Sequence, residues 1–409
     1  MKISKILKNK IKKILSRYPV MDLELKKKTV FLLSKKYTFS YLNCITNEKQ
    51  FLFECFKGKF VNDSPWSIYQ TLSSLNKDAT FIWVLQNPEH PLLEKMQSMP
   101  NTKVVFYGTE EYLKAYASSK YWITNCRIPF RIAKKPEQVF IQCWHGTPLK
   151  KMAHDIKVGS NAKTSLEGLK FAYDHEVRRL DFFVSPSPYA SKCFCSSFNM
   201  PKSKVLESGY PRNDRLINHR YDVDLISKIK TELGINENKK VILYAPTWRD
   251  DKVSNFDGRH ILTNPLDCEE FLNHFPDTVF LYRGHYFTHT EKSMVNFIDV
   301  SDYNDVNDLF LISDSLVTDY SSLFFDYAIL CKPIYFYMPD LEEYREKTRG
   351  FYLDVESELP GPIVRTPKEL AEVMSEQFDL SIFALFNKKY NCYEEGHSAL
   401  NVLQKVGIL

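Results

Sequence analysis

The sequence predicts an α/β protein: two doubly wound, Rossmann-like halves facing each other across a cleft, preceded by a basic amphipathic helix. Three observations carry this. Short β-branched and aromatic runs alternate with helical patterns along the chain, many of the runs are hydrophobic throughout, and the polar stretch NHRYDVDLISKIKTELGINENKK (218–240) divides them into two sets. Continuous hydrophobicity suits parallel strands covered on both faces. Strand–helix alternation on this scale reads as doubly wound α/β.

The elements follow in order. Residues 1–21 form the first, because MKISKILKNKIKKILSRYP carries six lysines and one arginine with no acid before Asp22. Ile3, Ile6, Leu7, Ile11, Ile14 and Leu15 recur at helical spacing until Pro19, with Lys2, Lys5, Lys8, Lys12 and Lys13 among them. Such a helix suits an anionic membrane interface. It lacks the continuous apolar core of a secretory signal. A helix packed on the protein's own surface is the plain alternative.

An N-terminal half is expected over 22–217. Its strands are ATFIWVL (79–85), KVVFYG (103–108), YWITN (121–125), QVFIQCW (138–144), DFFVSPS (181–187) and KVLESG (204–209), with a helix over 164–180. A C-terminal half over 218–385 takes KVILYAPT (240–247), TVFLYRGH (278–285), SLVTDYS (315–321) and KPIYFYM (332–338) as strands. Its helices fall over 222–233, 267–275, 322–331 and 367–377, and a helical tail occupies 386–409.

Composition limits the function classes. With 409 residues, 44% hydrophobic, the chain can bury more than one core. A formal charge of +5 is too mild to demand a polyanionic partner, and the cations form no stripe interleaved with aromatics, so nucleic acid is not expected. Nine cysteines show no metal-type spacing and read as reduced thiols. No apolar run approaches the roughly 18 residues of a membrane span.

In sheets of this kind ligands gather at the carboxyl ends of the strands. Five strand ends present polar clusters: His145-Gly146-Thr147, Tyr210-Pro211-Arg212-Asn213-Asp214, Thr247-Trp248-Arg249-Asp250, Arg283-Gly284-His285, and Asp319-Tyr320-Ser321-Ser322. The chemistry they imply is anion handling. Ser321 and Ser322 open a helix, where hydroxyls and free N–H groups can meet a phosphate. Asp326 lies one turn on, on the same face as Ser322, placed to accept from a ribose or polyol diol. Arg212, Arg249 and Arg283 offer planar forks for phosphate oxygens. No Walker A loop or GxGxxG turn is present, which argues against an ATPase or a nicotinamide enzyme. Taken singly, a serine pair is a helix cap and an arginine a surface ion pair; the convergence of the five ends is what counts.

Those residues carry a resemblance. FLFECFKGKFVNDSPWSIYQTL, QCWHGTPLKKMAHD, SGYPRND, LYAPTWRDD, YRGH and LVTDYSSLFFDYAILCKPIYFYMPDLEEY together resemble the CDP-glycerol glycerophosphotransferase family of teichoic acid primases and polymerases, with related capsule polymerases. The likeness runs in order from about residue 50 to about residue 355. It implies a GT-B-like fold and a CDP-polyol donor, CDP-glycerol or CDP-ribitol. It implies, too, an acceptor that is an undecaprenyl-diphosphate-linked saccharide or a polyol phosphate, at the cytoplasmic face of the membrane. Carried over motif by motif, His145, Gly146, Thr147, Pro148, Leu149, Arg212, Pro246, Thr247, Arg283, Gly284, His285, Ser321, Ser322 and Asp326 would line the donor site. His145 and His285 would be its essential histidines. Its size resembles the compact members.

Together these readings give a mechanism as an expectation. His145 takes a proton from the acceptor hydroxyl, the oxygen attacks the β-phosphorus in line, and CMP leaves. Protein cations, with no metal or other cofactor, hold the developing charge. Gly146 lets backbone approach the diphosphate, Pro148 stiffens the turn, and Lys150 and Lys151 add positive potential. A nucleotide-sugar glycosyltransferase of the same architecture and a non-catalytic polyanion binder are the rival classes.

Overall fold

In the computed structural model the two sets of strands form two separate parallel sheets. The structure describes residues 18–41, 43–157, 165–247, 264–284, 295–347 and 350–409. The basic segment before Tyr18, with its six lysines, lies outside them, as do Arg249 and His285.

The first sheet contains β1 (Asn47–Glu54), β2 (Thr80–Leu85), β3 (Thr102–Phe106), β4 (Ser119–Thr124), β5 (Val139–Gln142), β6 (Phe182–Ser185) and β7 (Val205–Glu207), in the order β3-β2-β1-β4-β5-β6-β7. The second contains β8 (Lys240–Ala245), β9 (Thr278–Tyr282), β10 (Phe297–Asp299), β11 (Ser315–Thr318), β12 (Ile334–Tyr337) and β13 (Ile363–Val364), in the order β10-β9-β8-β11-β12-β13. All pairings within both sheets are parallel. The physical cause is visible in the strands: β8 is buried from Val241 on, and β11 and β12 are buried throughout, because helices cover both faces. This is the GT-B-like arrangement expected.

Three strands escape a reading of the sequence. β1 is central to its sheet, yet its first half, Asn-Glu-Lys-Gln, is polar and exposed, so only Phe51–Phe53 carry a strand signal. β10 and β13 are short edge strands of three and two residues. Each predicted strand except YWITN is shorter than expected, because the polar ends belong to the cleft loops; YWITN instead starts two residues earlier, at Ser119. Pro19 also acts otherwise than anticipated: it opens the helix Pro19–Ser40, where the fixed φ and missing N–H cost nothing.

Chain reversal sets where ligands can reach. The strand order changes direction between β1 and β4 in the first sheet and between β8 and β11 in the second, and such switch points open a crevice at the carboxyl edge. The two crevices face each other. Each half has its own core, with Trp83, Trp122 and Phe140 fully buried in the first and Phe324, Phe325 and Phe336 in the second. Burying an aromatic or aliphatic side chain of this kind contributes roughly 1.5–3 kcal/mol.

The chain ties the halves together after the second sheet is complete. The helix Ile382–Tyr390 packs Phe383, Phe386 and Tyr390 into the second core. The helix Ser398–Val406 then returns to the first half, where Ala399, Val402 and Leu403 join the core beside Tyr69 and Leu72. Asp214 fixes its start, its carboxylate accepting from the N–H groups of Ser398 and Ala399 at 2.7 and 2.8 Å.

Candidate active site

Between the facing switch points lies a cavity of about 880 Å3. Its walls include His145, Gly146, Arg212, Pro246, Thr247, Arg283, Gly284, Ser321, Ser322 and Asp326, so strand ends distant in sequence converge on it. Thr147, Pro148 and Leu149 do not line it.

His145 stands three residues beyond the end of β5, and its ring is accessible from the cleft. The carbonyl of Asn125, at the end of neighbouring β4, accepts a hydrogen bond from His145 Nδ1 at 2.7 Å. A carbonyl can only accept, so Nδ1 carries the proton in the neutral ring and Nε2 keeps a lone pair. Trp144 stacks on the ring at 4.3 Å between centroids, and Phe56 approaches to 5.8 Å. These walls strip water from the imidazolium and lower the His145 pKa; the Asn125 carbonyl and Asp63 oppose the shift, while Arg212 and Arg127 add to it. Trp144 itself sits at φ 54°, a left-handed conformation that bulky side chains rarely adopt, and the aromatic cluster of Phe183, Phe194 and Phe198 holds it there.

Gly146 marks the closest approach of the halves on this wall. A Cβ built on it would lie 2.6 Å from Ser322 Oγ of the opposite half. The following residues act as a clamp instead of a lining. Leu149 is buried in the core of the second half, Lys151 donates its N–H to Gly350 O at 2.9 Å, and Tyr352 donates its own to Leu149 O at 2.9 Å. Lys150 Nζ donates to Tyr344 Oη at 2.9 Å. Pro148 offers its carbonyl to Tyr189 Oη at 2.8 Å. The HGTPLKK segment therefore joins two jobs, a histidine and glycine at the cavity and a strap across the halves.

Arg212 and Asp326, both anticipated as ligand contacts, hold each other. Arg212 Nε donates to Asp326 Oδ2 at 2.9 Å and Nη2 to Oδ1 at 3.3 Å, with Asp63 at 3.4 Å from Nη1. Burial alone would lower the Arg212 pKa; Asp326 and Asp63 outweigh it and hold it above the usual value. Its plane lies 3.9 Å from the Tyr210 ring. Asn213 adds a donor to Asp326 Oδ1 at 3.1 Å, so that carboxylate accepts three hydrogen bonds from the first half.

On the second half, Asp319 at the end of β11 accepts from both the N–H and the hydroxyl of Thr247 at 2.8 Å, aligning the ends of β8 and β11. Arg283 Nη1 donates to the carbonyls of Val300 and Tyr303 at 3.0 and 2.9 Å. Burial pulls its pKa down to about 10, against the attraction of Asp305 and Asp302, so it is charged at neutral pH. Ser322 precedes the helix Leu323–Tyr327, which tightens into a 3-10 turn over Ala328–Leu330.

Two polar residues of the site had no sequence signal strong enough to select them. Asn125 ends the predicted strand YWITN, and it braces three parts at once: its carbonyl holds His145, its Oδ1 accepts from Phe56 N at 2.9 Å, and its Nδ2 donates to Asp63 Oδ2 at 3.1 Å. Asp63 opens the helix Asp63–Leu75 at φ 60° and lines the cavity between His145 and Arg212. A polar residue closing a strand is the cue to the first; the second lies within the segment FLFECFKGKFVNDSPWSIYQTL that carries the resemblance, where no side chain was singled out.

The sequence profile of the CDP-Glycerol:Poly(glycerophosphate) glycerophosphotransferase family matches residues 36–407. The chain belongs to this family. It is 36% identical over 378 residues to the teichoic acid glycerol-phosphate transferase of Staphylococcus aureus, covering 90% of this chain and 95% of that one. It is 37% identical over 351 residues to the teichoic acid poly(glycerol phosphate) polymerase of Staphylococcus epidermidis, covering 83% of this chain and 48% of that one, so it spans about half of that longer relative. Among solved structures, a histidine-to-asparagine variant of the wall teichoic acid polymerase TagF soaked with CDPG superimposes with a TM-score of 0.82 at 34% identity, over 99% of this chain and 98% of that one.

Proposed function

We propose that this family member transfers glycerol phosphate from CDP-glycerol to a lipid-linked acceptor of teichoic acid synthesis and releases CMP. The observation that carries the reading is the tautomer fixed at His145. With Nδ1–H committed to Asn125 O at 2.7 Å, Nε2 is the basic nitrogen, in a cavity whose opposite wall is the Ser321–Ser322 turn. The names of the relatives and the CDPG soak of TagF support the donor.

In this reading Nε2 takes the acceptor hydroxyl's proton as the oxygen forms a bond to the β-phosphorus. The bond from that phosphorus to the bridging oxygen breaks, and CMP departs with the electron pair. Arg283 and the N–H groups at Ser321–Ser322 hold the charge on the phosphoryl oxygens, and His285 is assigned to the same task. No metal or cofactor is required in this scheme, and rates unchanged by EDTA would support that. Arg212 serves through Asp326 and Asp63, by keeping the halves in register.

We assign the site of action to the cytoplasmic face of the membrane, with the chain bound peripherally. The helix Pro19–Ser40 supports this: Val20, Met21, Leu32 and Phe39 are exposed along it, beside Lys27, Lys28, Lys35 and Lys36. No described helix is long and apolar enough to cross a membrane.

The test is CMP release from CDP-glycerol and, separately, CDP-ribitol, with a lipid-linked saccharide or a short glycerol-phosphate acceptor. Acceptor-dependent CMP from CDP-glycerol, lost in His145→Ala, is the expected result. Release only from CDP-ribitol would replace the donor, and turnover of a nucleotide-sugar alone would overturn the reading.

A further inference from the structure

One wall of the cavity has no part in the donor assignments above. It is the segment Phe56–Phe60, which follows β1 at the switch point of the first sheet. Phe56, Lys57 and Gly58 take φ values of 46°, 60° and 78°, three left-handed residues in succession. Two of them carry side chains, so the loop is strained, and strain of this kind persists only where the surroundings over-determine it.

The surroundings do so on three sides. A Cβ on Gly58 would lie 2.5 Å from Leu85 C and 2.7 Å from Gln86 N, so the loop is pressed against the backbone at the end of β2 and only glycine fits. Phe56 N is held by Asn125 Oδ1 at 2.9 Å. Just beyond, Val61 and Asn304 of the other half exchange hydrogen bonds: Asn304 Nδ2 donates to Val61 O at 2.8 Å, and Val61 N donates to Asn304 Oδ1 at 3.3 Å. Asn62 Nδ2 also donates to Asn304 O.

This rigid platform presents two cations to the cavity, Lys57 and Lys59, flanked by Phe56 and Phe60. Lys57 is exposed and Lys59 half-buried. Burial lowers the Lys59 pKa; Asp302 opposes that shift and Arg283 adds to it, and both of these residues of the second half line the same cavity. The platform also stands beside the base, since the Phe56 ring lies 5.8 Å from that of His145. The donor is assigned to the second half, so the acceptor hydroxyl must come to Nε2 along the first.

We infer that Lys57 and Lys59 form an acceptor subsite that binds the phosphodiester next to the attacking hydroxyl, selecting polyol-phosphate ends over neutral saccharides. The inference rests on the transferase reading and specifies its acceptor. Two ammonium groups carried on this braced loop, in the cavity that holds the base, bind a phosphodiester by charge-assisted hydrogen bonds, and a neutral sugar hydroxyl gains far less from them.

The experiment uses the full chain and compares wild type with Lys57→Ala/Lys59→Ala and the charge-keeping Lys57→Arg/Lys59→Arg. Two measurements are made: equilibrium binding of a short glycerol-phosphate oligomer without donor, and steady-state CMP release with that oligomer or a neutral disaccharide acceptor. The alanine pair is expected to weaken oligomer binding and raise its KM by about tenfold or more. The KM for CDP-glycerol and for the neutral acceptor should change little, and the arginine pair should restore most of the loss. A rise in the donor KM with oligomer binding intact overturns the subsite and moves the lysines to the donor. Wild type that binds the oligomer through these lysines but releases no CMP sinks the transferase reading and leaves the subsite standing. Wild type that does neither overturns both.

Discussion

Arg212 of the first half and Asp326 of the second form a two-point ion pair in the interior of the cleft, with Nε to Oδ2 at 2.9 Å and Nη2 to Oδ1 at 3.3 Å. Both side chains are nearly closed to solvent, at 5% and 9% exposure. The pair joins the 3-10 turn Pro211–Asn213 after β7 to the helix Leu323–Tyr327 after β11, so it spans the two switch-point sheets.

Removing one partner of a buried pair leaves the other charge desolvated and alone, at a cost of roughly 3–5 kcal/mol. Asp326→Asn should therefore lower the urea midpoint strongly, and Arg212→Met should do the same. The double variant should lose less than the sum, because neither charge is then stranded, although Asp63 keeps part of the Arg212 effect. Chemical denaturation of the three variants checks this. Additive losses would mean that the two residues act separately.

His145 should set the acid limb of the rate. Its neutral Nε2 is the working form, and burial lowers its pKa below the ordinary value of about 6.5. As pH falls, the ring stays neutral to a lower pH than free histidine would, so kcat/KM should hold through about pH 6.5 and decline only below it. His145→Ala should cost roughly 10²–10⁴-fold at neutral pH and abolish that limb. Asn125→Ala, which removes the side-chain brace and keeps the carbonyl, should cost up to about 10²-fold through misplacement of the ring. A pH profile of CMP release for the three proteins is the measurement.

Much of this site was legible because parallel strands advertise themselves. ATFIWVL and KVILYAPT each hold an unbroken apolar run, Phe81–Leu85 and Val241–Pro246, and the polar cluster that follows the second marks the carboxyl edge where ligands collect. What pairs with what was not legible. Arg212 and Asp326 each look like a ligand contact in sequence, and only the facing of the halves shows that they neutralise each other. Leu149 reads as part of a loop motif, yet it is buried in the core of the other half. Asn125 acts through a backbone carbonyl, which no side-chain pattern reveals. The strained Phe56–Gly58 turn depends on the approach of β2, a contact set by strand order and not by local sequence.

Gly146 offers a test of how closely the halves must meet. Alanine there would place its Cβ 2.6 Å from Ser322 Oγ, a distance that forces the serine or the whole turn to move. Gly146→Ala should lower both stability and kcat/KM. In Gly146→Ala/Ser322→Ala the hydroxyl is gone, so thermal stability should recover while activity stays low if Ser322 meets the phosphate. Recovery of activity in the double variant would show that Ser322 matters only for its bulk.

Glu394 should make stability depend on pH in the alkaline direction. It sits where the returning chain meets the Arg212 network: its Oε1 accepts from Tyr210 N at 2.9 Å and Asn213 Nδ2 at 3.1 Å, and its Oε2 is buried with no partner among the described residues. Burial, and then the nearby Asp326 charge, push its pKa up from 4.5 to about 8, while the hydrogen bond from Tyr210 N, the one from Asn213 and the Arg212 charge oppose the rise. Between those two values the unfolded chain releases the proton and the folded one keeps it. The folded state then binds more protons, so this group's contribution is fully present below pH 4.5 and is lost as pH rises through about 8. Glu394→Gln keeps the acceptor oxygen and cannot ionise. Its melting temperature should match wild type in mild acid and exceed it above pH 8, with a flatter profile between. Parallel profiles for the two proteins would mean that the carboxyl is ionised in the folded state at neutral pH, with the Arg212 guanidinium carrying its charge.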